Sequence, residues 1–114
     1  MAENPVTTDE RRRKPRFFVG QPARISSGGP AVTGRLRDVC RDAAFVEADR
    51  WFPLQSEVTL AMELPGTDQP VEVNGTVIRL APGDLGRHGM AVLFEDLTPA
   101  AEASIDLFIA QQEG

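Results

Sequence analysis

A dense run of basic side chains near the N-terminus is the segment best suited to bind an anion. Five of the twelve Lys and Arg residues fall within residues 11–16, among them Arg11, Arg12 and Arg16. A guanidinium pairs bidentately with phosphate oxygens or with the O6 and N7 edge of guanine, and its flat face stacks on a base. Two interpretations remain open at this point: a loop that folds over a ligand, or a solvated basic segment.

A second segment, residues 34–46, joins two predicted strands through a tight connection. Asp38 ends the first of these strands, Ala43 leads into the second, and Cys40 lies between them. A carboxylate at Asp38 can accept hydrogen bonds from the N1 and N2 donors of a guanine. Taken alone, this segment can also be interpreted as an ordinary turn without a ligand. Together with the arginine run, it suggests a pocket for an anionic nucleotide.

The distribution of charge limits what the basic run can bind. The chain has 114 residues and a net charge of −5. Residues 1–50 contain 10 basic and 7 acidic side chains, whereas residues 51–114 contain 2 and 10. An acidic chain is a poor general binder of nucleic acid, which requires a broad basic face. A small polyanion bound on the N-terminal side is compatible with this distribution.

Length and residue types restrict the class of protein further. The length predicts one domain, with residues 1–10 as a flexible tail and residues 11–112 as the folded part. The single cysteine, Cys40, excludes an internal disulfide and a zinc site built from cysteines, and with one histidine we expect no metal site. No apolar run approaches the roughly 20 residues that cross a bilayer, and the N-terminus is polar. We therefore expect a cytoplasmic protein without a membrane span.

The remaining reactive side chains have ordinary structural explanations. Cys40 is either a reactive thiol beside neighbouring arginines or, as we favour, a small buried side chain. We interpret His88 as a strand residue, and Glu95 and Asp96 as solvated carboxylates of a turn. Residues 51–53 form either a core or rim cluster or an exposed partner contact. No nucleophile, base and oxyanion site can be assembled from these residues, so we predict no catalytic residue and no enzyme.

From residue 17 onward, short alternating segments separated by turn residues predict strands. The predicted strands cover residues 17–25, 31–39, 44–48, 58–64, 71–80 and 88–94. Thr98 as N-cap and Pro99 at the first helical position predict a terminal helix that ends near residue 112. The sequence thus predicts a mainly β fold, a six-stranded antiparallel barrel with a C-terminal α-helix.

Two predicted strands contain irregularities. Gly20 and Pro22 in the first strand predict a bulge or an edge position. In the fifth, Gly75 and the change of phase at Ile78 and Leu80 predict a bulge or bend.

The arginine run followed by the Asp38 segment resembles the PilZ family, bacterial domains that bind cyclic di-GMP. The family pattern is Arg-x-x-x-Arg, usually with a further Arg before it, followed by Asp/Asn-x-Ser-x-x-Gly. Arg11, Arg12 and Arg16 match the first motif, and Asp38 begins the second. The resemblance extends over about residues 10–110. It implies a barrel with an arginine loop in which the three arginines bind guanine edges and phosphates, while Asp38 reads a guanine.

The second motif departs from the family pattern at two positions. Cys40 stands where the family has Ser, and Ala43 stands where it has Gly. A thiol is a weak donor and acceptor, so a hydrogen bond made by the serine hydroxyl is largely lost. If the glycine is needed for a positive φ angle, alanine costs roughly 1 kcal/mol. Together these changes predict a loss of roughly 2–4 kcal/mol, on the order of 30- to 1000-fold in affinity.

Three functional hypotheses follow. The resemblance implies a cyclic di-GMP receptor and adaptor that signals through a protein partner, with Arg11, Arg12, Arg16, Asp38, Cys40 and Ala43 at the ligand. A degenerate adaptor that no longer binds the nucleotide is the alternative. In the third hypothesis, a stable small barrel adheres to acidic surfaces through its basic segment. No cofactor other than the nucleotide ligand is expected.

Overall fold

The computed structural model describes residues 17–113, with side chains for residues 17–112. The predicted tail of residues 1–10 and the arginine run of residues 11–16 lie outside the described residues. The described elements are β1 (Phe17–Ser26), β2 (Val32–Val39), β3 (Ala43–Ala48), β4 (Glu57–Met62), β5 (Val71–Pro82), a short 3-10 turn (Asp84–Gly86), β6 (His88–Glu95) and α1 (Pro99–Glu113).

The six strands close into one antiparallel barrel. Their order around it is β1-β2-β3-β6-β5-β4, and β1 pairs with both β2 and β4. The predicted fold, a mainly β barrel with a C-terminal helix, is confirmed. Since β1 has a neighbour on each side, the alternative of an edge position for this strand is wrong.

Alternating side chains of the strands fill the interior of the barrel. On β4, Val58, Leu60 and Met62 are buried and point inward, as their alternation predicts. Leu64 beyond the end of β4 is buried as well. The barrel core therefore consists of the apolar set that the period-two pattern identifies.

Three strands contain a bulge, a point where one strand has an extra residue. On β1 the register shifts between Phe18 and Gln21, which confirms the bulge predicted from Gly20. On β5 the shift lies between Val77 and Arg79, so the extra residue is Ile78, while Gly75 continues the regular ladder. On β2 the shift lies between Leu36 and Asp38, a bulge that the sequence pattern does not reveal.

The helix α1 begins at the predicted cap and packs its apolar side against the barrel. The Thr98 hydroxyl accepts a hydrogen bond from the Ala101 N–H at 3.1 Å, and the Thr98 carbonyl accepts one from the Glu102 N–H at 2.9 Å. The buried side chains of α1 are Ala101, Ile105, Phe108 and Ile109. None of the helices within residues 17–113 is long and apolar enough to cross a membrane.

Two contacts attach α1 to the end of the barrel where β1 begins. The ring of Phe108 lies edge-on to that of Phe17, with centroids 6.4 Å apart. The Arg41 Nε lies 3.3 Å from Asp106 Oδ1. The helix therefore contacts the second motif at Arg41 and, at Phe17, the residue that directly follows the arginine run.

We predict that Thr98→Ala lowers the free energy of unfolding by about 1 kcal/mol, because the Ala101 N–H then loses its side-chain acceptor. Urea denaturation followed by circular dichroism measures the change. Thr98→Ser keeps the acceptor and serves as the control. Equal stability of the alanine and serine variants would contradict the capping role.

Candidate functional site

The start of β1 lies beside the turn that contains the second motif. Phe17 is paired with Val39, and Phe18 is paired with Asp38. Arg16 is covalently bonded to Phe17, so the arginine run joins the barrel next to Asp38. Arg11, Arg12 and Arg16 lie outside the described residues, and their contacts with Asp38 stay a prediction.

The bulge at Arg37 turns Asp38 to the outside of the barrel. Leu36 and Val39 are both fully buried in the core, although two residues separate them. Side chains of a regular strand alternate, so without an extra residue Asp38 would point inward. With the bulge, Asp38 pairs with Phe45 on the outer face, and its Oδ1 atom is buried there. The carboxylate therefore belongs to the outer face of the barrel and not to its core.

Cys40 lies inside the turn between β2 and β3. Its N–H donates a hydrogen bond to the Ala43 carbonyl at 2.8 Å, and its side chain is 7% exposed. The Phe94 N–H donates to the Asp42 carbonyl, also at 2.8 Å, which ties the turn to β6. The burial of Cys40 is as we predicted from the sequence.

Ala43 does not need the backbone freedom of glycine. It is the first residue of β3 and is paired with Leu93 of β6. No residue of the turn, and not Ala43, has a positive φ angle. The condition under which alanine would cost roughly 1 kcal/mol here, a positive φ angle, is therefore not met.

Two phenylalanine rings flank Asp38 on the outer face, and an arginine lies over each of them. Phe18 and Phe45 are the cross-strand partners of Asp38 on its two sides. The Arg35 Cζ is 5.8 Å from the centroid of the Phe18 ring, and the Arg79 Cζ is 5.7 Å from that of the Phe45 ring. Sequence reasoning missed the arginines because they belong to β2 and β5, far from the arginine run along the chain.

A buried carboxylate two residues from Phe45 on β3 binds a further arginine. Glu47 is fully buried, and its Oε2 accepts hydrogen bonds from Arg37 Nη1 at 3.0 Å and from the Asp84 N–H at 3.1 Å. Arg37 also lies 5.8 Å from the Phe45 ring centroid. The pair fixes the bulge residue to the β5–β6 connection, which stabilises the geometry around Asp38.

The other candidate residues have structural roles. Trp51 Nε1 donates to the Gly89 carbonyl at 3.1 Å, and its ring lies 4.3 Å from that of His88 in β6. Phe52 is buried in the core, so the cluster is of the core-and-rim type. Glu95 Oε2 accepts from the Thr76 hydroxyl at 2.7 Å. The interpretation of His88 as a strand residue is confirmed.

Among residues 17–112, the candidate site is an outer face of the barrel. A groove of about 680 Å³ lies between the β4–β5 connection and the start of α1, and Asp38 does not line it. Within the part of the chain that the structure describes, no group of three His, Cys, Asp or Glu side chains is arranged to hold a metal ion. The arginines and Asp38 of this face can form hydrogen bonds, and its rings can stack on a flat ligand.

Comparison of the sequence with protein families gives one match. The family model of the PilZ domain matches residues 10–111, nearly the whole chain. No curated protein matches the sequence.

Solved structures share the fold at low sequence identity. An inhibitor of motility from Bacillus subtilis, MotI/DgrA, gives a TM-score of 0.74 at 14% identity, covering 90% of this chain and 51% of that one. YcgR from Escherichia coli in complex with c-di-GMP gives 0.69 at 15% identity, covering 90% and 46%. The isolated PilZ domain of YcgR with c-di-GMP gives 0.62 at 15% identity, covering 90% and 92%. The chain thus spans about half the length of MotI/DgrA and of YcgR.

We predict that Arg37→Met lowers the free energy of unfolding by about 1–3 kcal/mol, because it removes a charged hydrogen-bond partner from the buried Glu47. Urea denaturation measures the loss. Adding Glu47→Gln to this variant should recover most of the stability, since no buried charge is then left without its partner. Equal destabilisation of the single and double variants would show that the ion pair is not the cause.

Proposed function

The chain belongs to the PilZ domain family, and from this we propose that it is a cyclic di-GMP receptor that acts on a protein partner. One observation supports the proposal above all: the Arg37 bulge turns Asp38 outward, directly beside the point where the arginine run joins β1. The arginine run is therefore expected to meet the second motif on this face of the barrel. Structures of similar fold have been solved with c-di-GMP bound. We propose a binding protein and not an enzyme.

The proposed roles follow the chemistry of each side chain. Arg11, Arg12 and Arg16 are expected to bind the guanine edges and the phosphates, as planar forks of donors do. Asp38 accepts hydrogen bonds from N1 and N2 of one guanine. Cys40 borders the ligand from the turn that follows Asp38, where its thiol replaces the family's hydroxyl.

The departures from the motif weaken binding less than the sequence alone suggests. Ala43 is a regular strand residue, so no backbone strain is added by the missing glycine. The remaining deficit is the hydrogen bond that the Cys40 thiol makes poorly, about 1–3 kcal/mol or about 5- to 150-fold in affinity. Binding in this range remains compatible with a receptor of low affinity.

The runner-up is an adaptor of the same fold that no longer binds the nucleotide. The observation in its favour is the burial of the Cys40 thiol at the position of the family's serine. Such a protein would act through protein contacts alone. Nucleotide binding by the purified chain separates the two hypotheses.

We predict that isothermal titration with cyclic di-GMP gives saturable heat with the wild-type chain and none with the Arg12→Ala, Arg16→Ala double variant, because the cationic clamp is removed. Arg24→Ala is the matched control, since Arg24 is exposed on β1 and pairs with Thr33 and Ala61 away from Asp38. Absence of heat and of a melting shift for the wild type at tens of micromolar ligand would favour the runner-up.

We predict that Cys40→Ser strengthens cyclic di-GMP binding by about 5- to 150-fold, because a hydroxyl restores the weakened hydrogen bond. Ala43→Gly alone should leave the affinity nearly unchanged and lower the free energy of unfolding by roughly 0.5–1 kcal/mol, since glycine weakens a strand. Titration and urea denaturation measure the two effects. A large gain in affinity from Ala43→Gly would mean that the methyl group obstructs the ligand.

A further inference from the structure

Two stacks of the same composition lie on either side of Asp38. In each, a phenylalanine ring packs over a glycine and an arginine guanidinium lies over the ring. The residues of one cross-strand row, running across five strands of the outer face, are Phe18, Asp38, Phe45, Ala91 and Arg79. The face that carries Asp38 therefore extends across β3, β6 and β5, well beyond the second sequence motif.

The first stack consists of Gly20, Phe18 and Arg35. A Cβ built on Gly20 would lie 3.2 Å from Phe18 Cε2 and 3.6 Å from an Arg35 Nη atom, and Gly20 has a φ of +72°. The bulge glycine thus leaves room for both the ring and the guanidinium. Phe18 is 66% exposed, a large apolar side chain on a face with no described cover.

The second stack consists of Gly89, Phe45 and Arg79. A Cβ on Gly89 would overlap Cζ of the Phe45 ring and approach its Cε2 to 2.8 Å. The ring can therefore occupy this position only because residue 89 is a glycine. Arg79 is exposed, whereas Phe45 beneath it is 7% exposed. The Arg79 guanidinium therefore lies over a buried ring and is itself exposed to solvent.

The two stacked arginines keep their full charge for an external partner. Neither Arg35 nor Arg79 forms an ion pair with any of residues 17–112. Arg37, which also lies near Phe45, is neutralised by the buried Glu47 and lies 3.7 Å from Asp84 Oδ1. The structure thus separates one arginine that holds the fold from two that are held in place without a carboxylate partner.

We infer that Arg35 and Arg79 are ligand-binding residues that hold the two phosphates of the cyclic dinucleotide from the barrel side. Stacking on a ring restricts each side chain before binding, so less conformational entropy is lost when its donors meet an anion. Both arginines lie over rings that flank Asp38, so their donors can reach the phosphates of a ligand whose guanine Asp38 holds. The inference rests on the proposed function and adds two residues outside both motifs.

The test is isothermal titration of cyclic di-GMP with Arg35→Ala, Arg79→Ala and the double variant, at two salt concentrations. Each single substitution should raise Kd about tenfold, as expected when one charge-assisted hydrogen bond is removed, and the double variant about a hundredfold. The double variant should also show a weaker dependence of Kd on salt, because fewer ionic interactions are screened. Arg24→Ala, which removes the same charge elsewhere on the barrel, should bind as the wild type does.

Further measurements separate the outcomes. Arg79→Lys keeps the charge but loses the planar fork, and it should recover only part of the affinity that Arg79→Ala removes. Unchanged melting temperatures show that the reduced affinities come from the ligand and not from the fold. If both alanine variants bind as tightly as Arg24→Ala, the inference is wrong and the proposed receptor function stands. If the wild-type chain gives no binding, both are overturned.

Discussion

One extra residue in β2 determines that the Asp38 carboxylate lies on the outer face of the barrel and not in the core. Leu36 and Val39 both reach the core, and only the bulge at Arg37 allows this while Asp38 points outward. A regular strand would place the carboxylate among apolar side chains, where an unpaired charge is strongly disfavoured. The outward position of Asp38, its pairing with Phe18 and Phe45, and its place beside the start of β1 all depend on this irregularity.

The bulge is stabilised by the charge pair of Arg37 and Glu47. Glu47 is fully buried, and it is compensated by Arg37 and by the Asp84 N–H of the β5–β6 connection. Burying a carboxylate is costly unless it is paired and hydrogen-bonded, so the bulge and the connection fix each other. The arginines of this face consequently fall into two groups, those with a carboxylate partner in the fold and those without.

The helix α1 adds a second boundary to the same region. Phe108 packs on Phe17 at the start of β1, and Asp106 faces Arg41 within the turn of the second motif. The exposed ion pair contributes little to stability, whereas the aromatic contact belongs to the core. A displacement of the second motif or of the start of β1 therefore changes a contact of α1 directly.

The sequence by itself determined the elements and the inward-facing set. The alternation of Val58, Leu60 and Met62, the glycine of β1 and the Thr98 cap are local signals, and local chemistry enforces them. Only the tertiary structure decided that Ala43 is a regular strand residue and that β5 bulges at Ile78. It also decided that Arg35 and Arg79 lie over the two rings that flank Asp38. Those features depend on register between strands distant along the chain, and a shift of one residue moves a side chain to the other face.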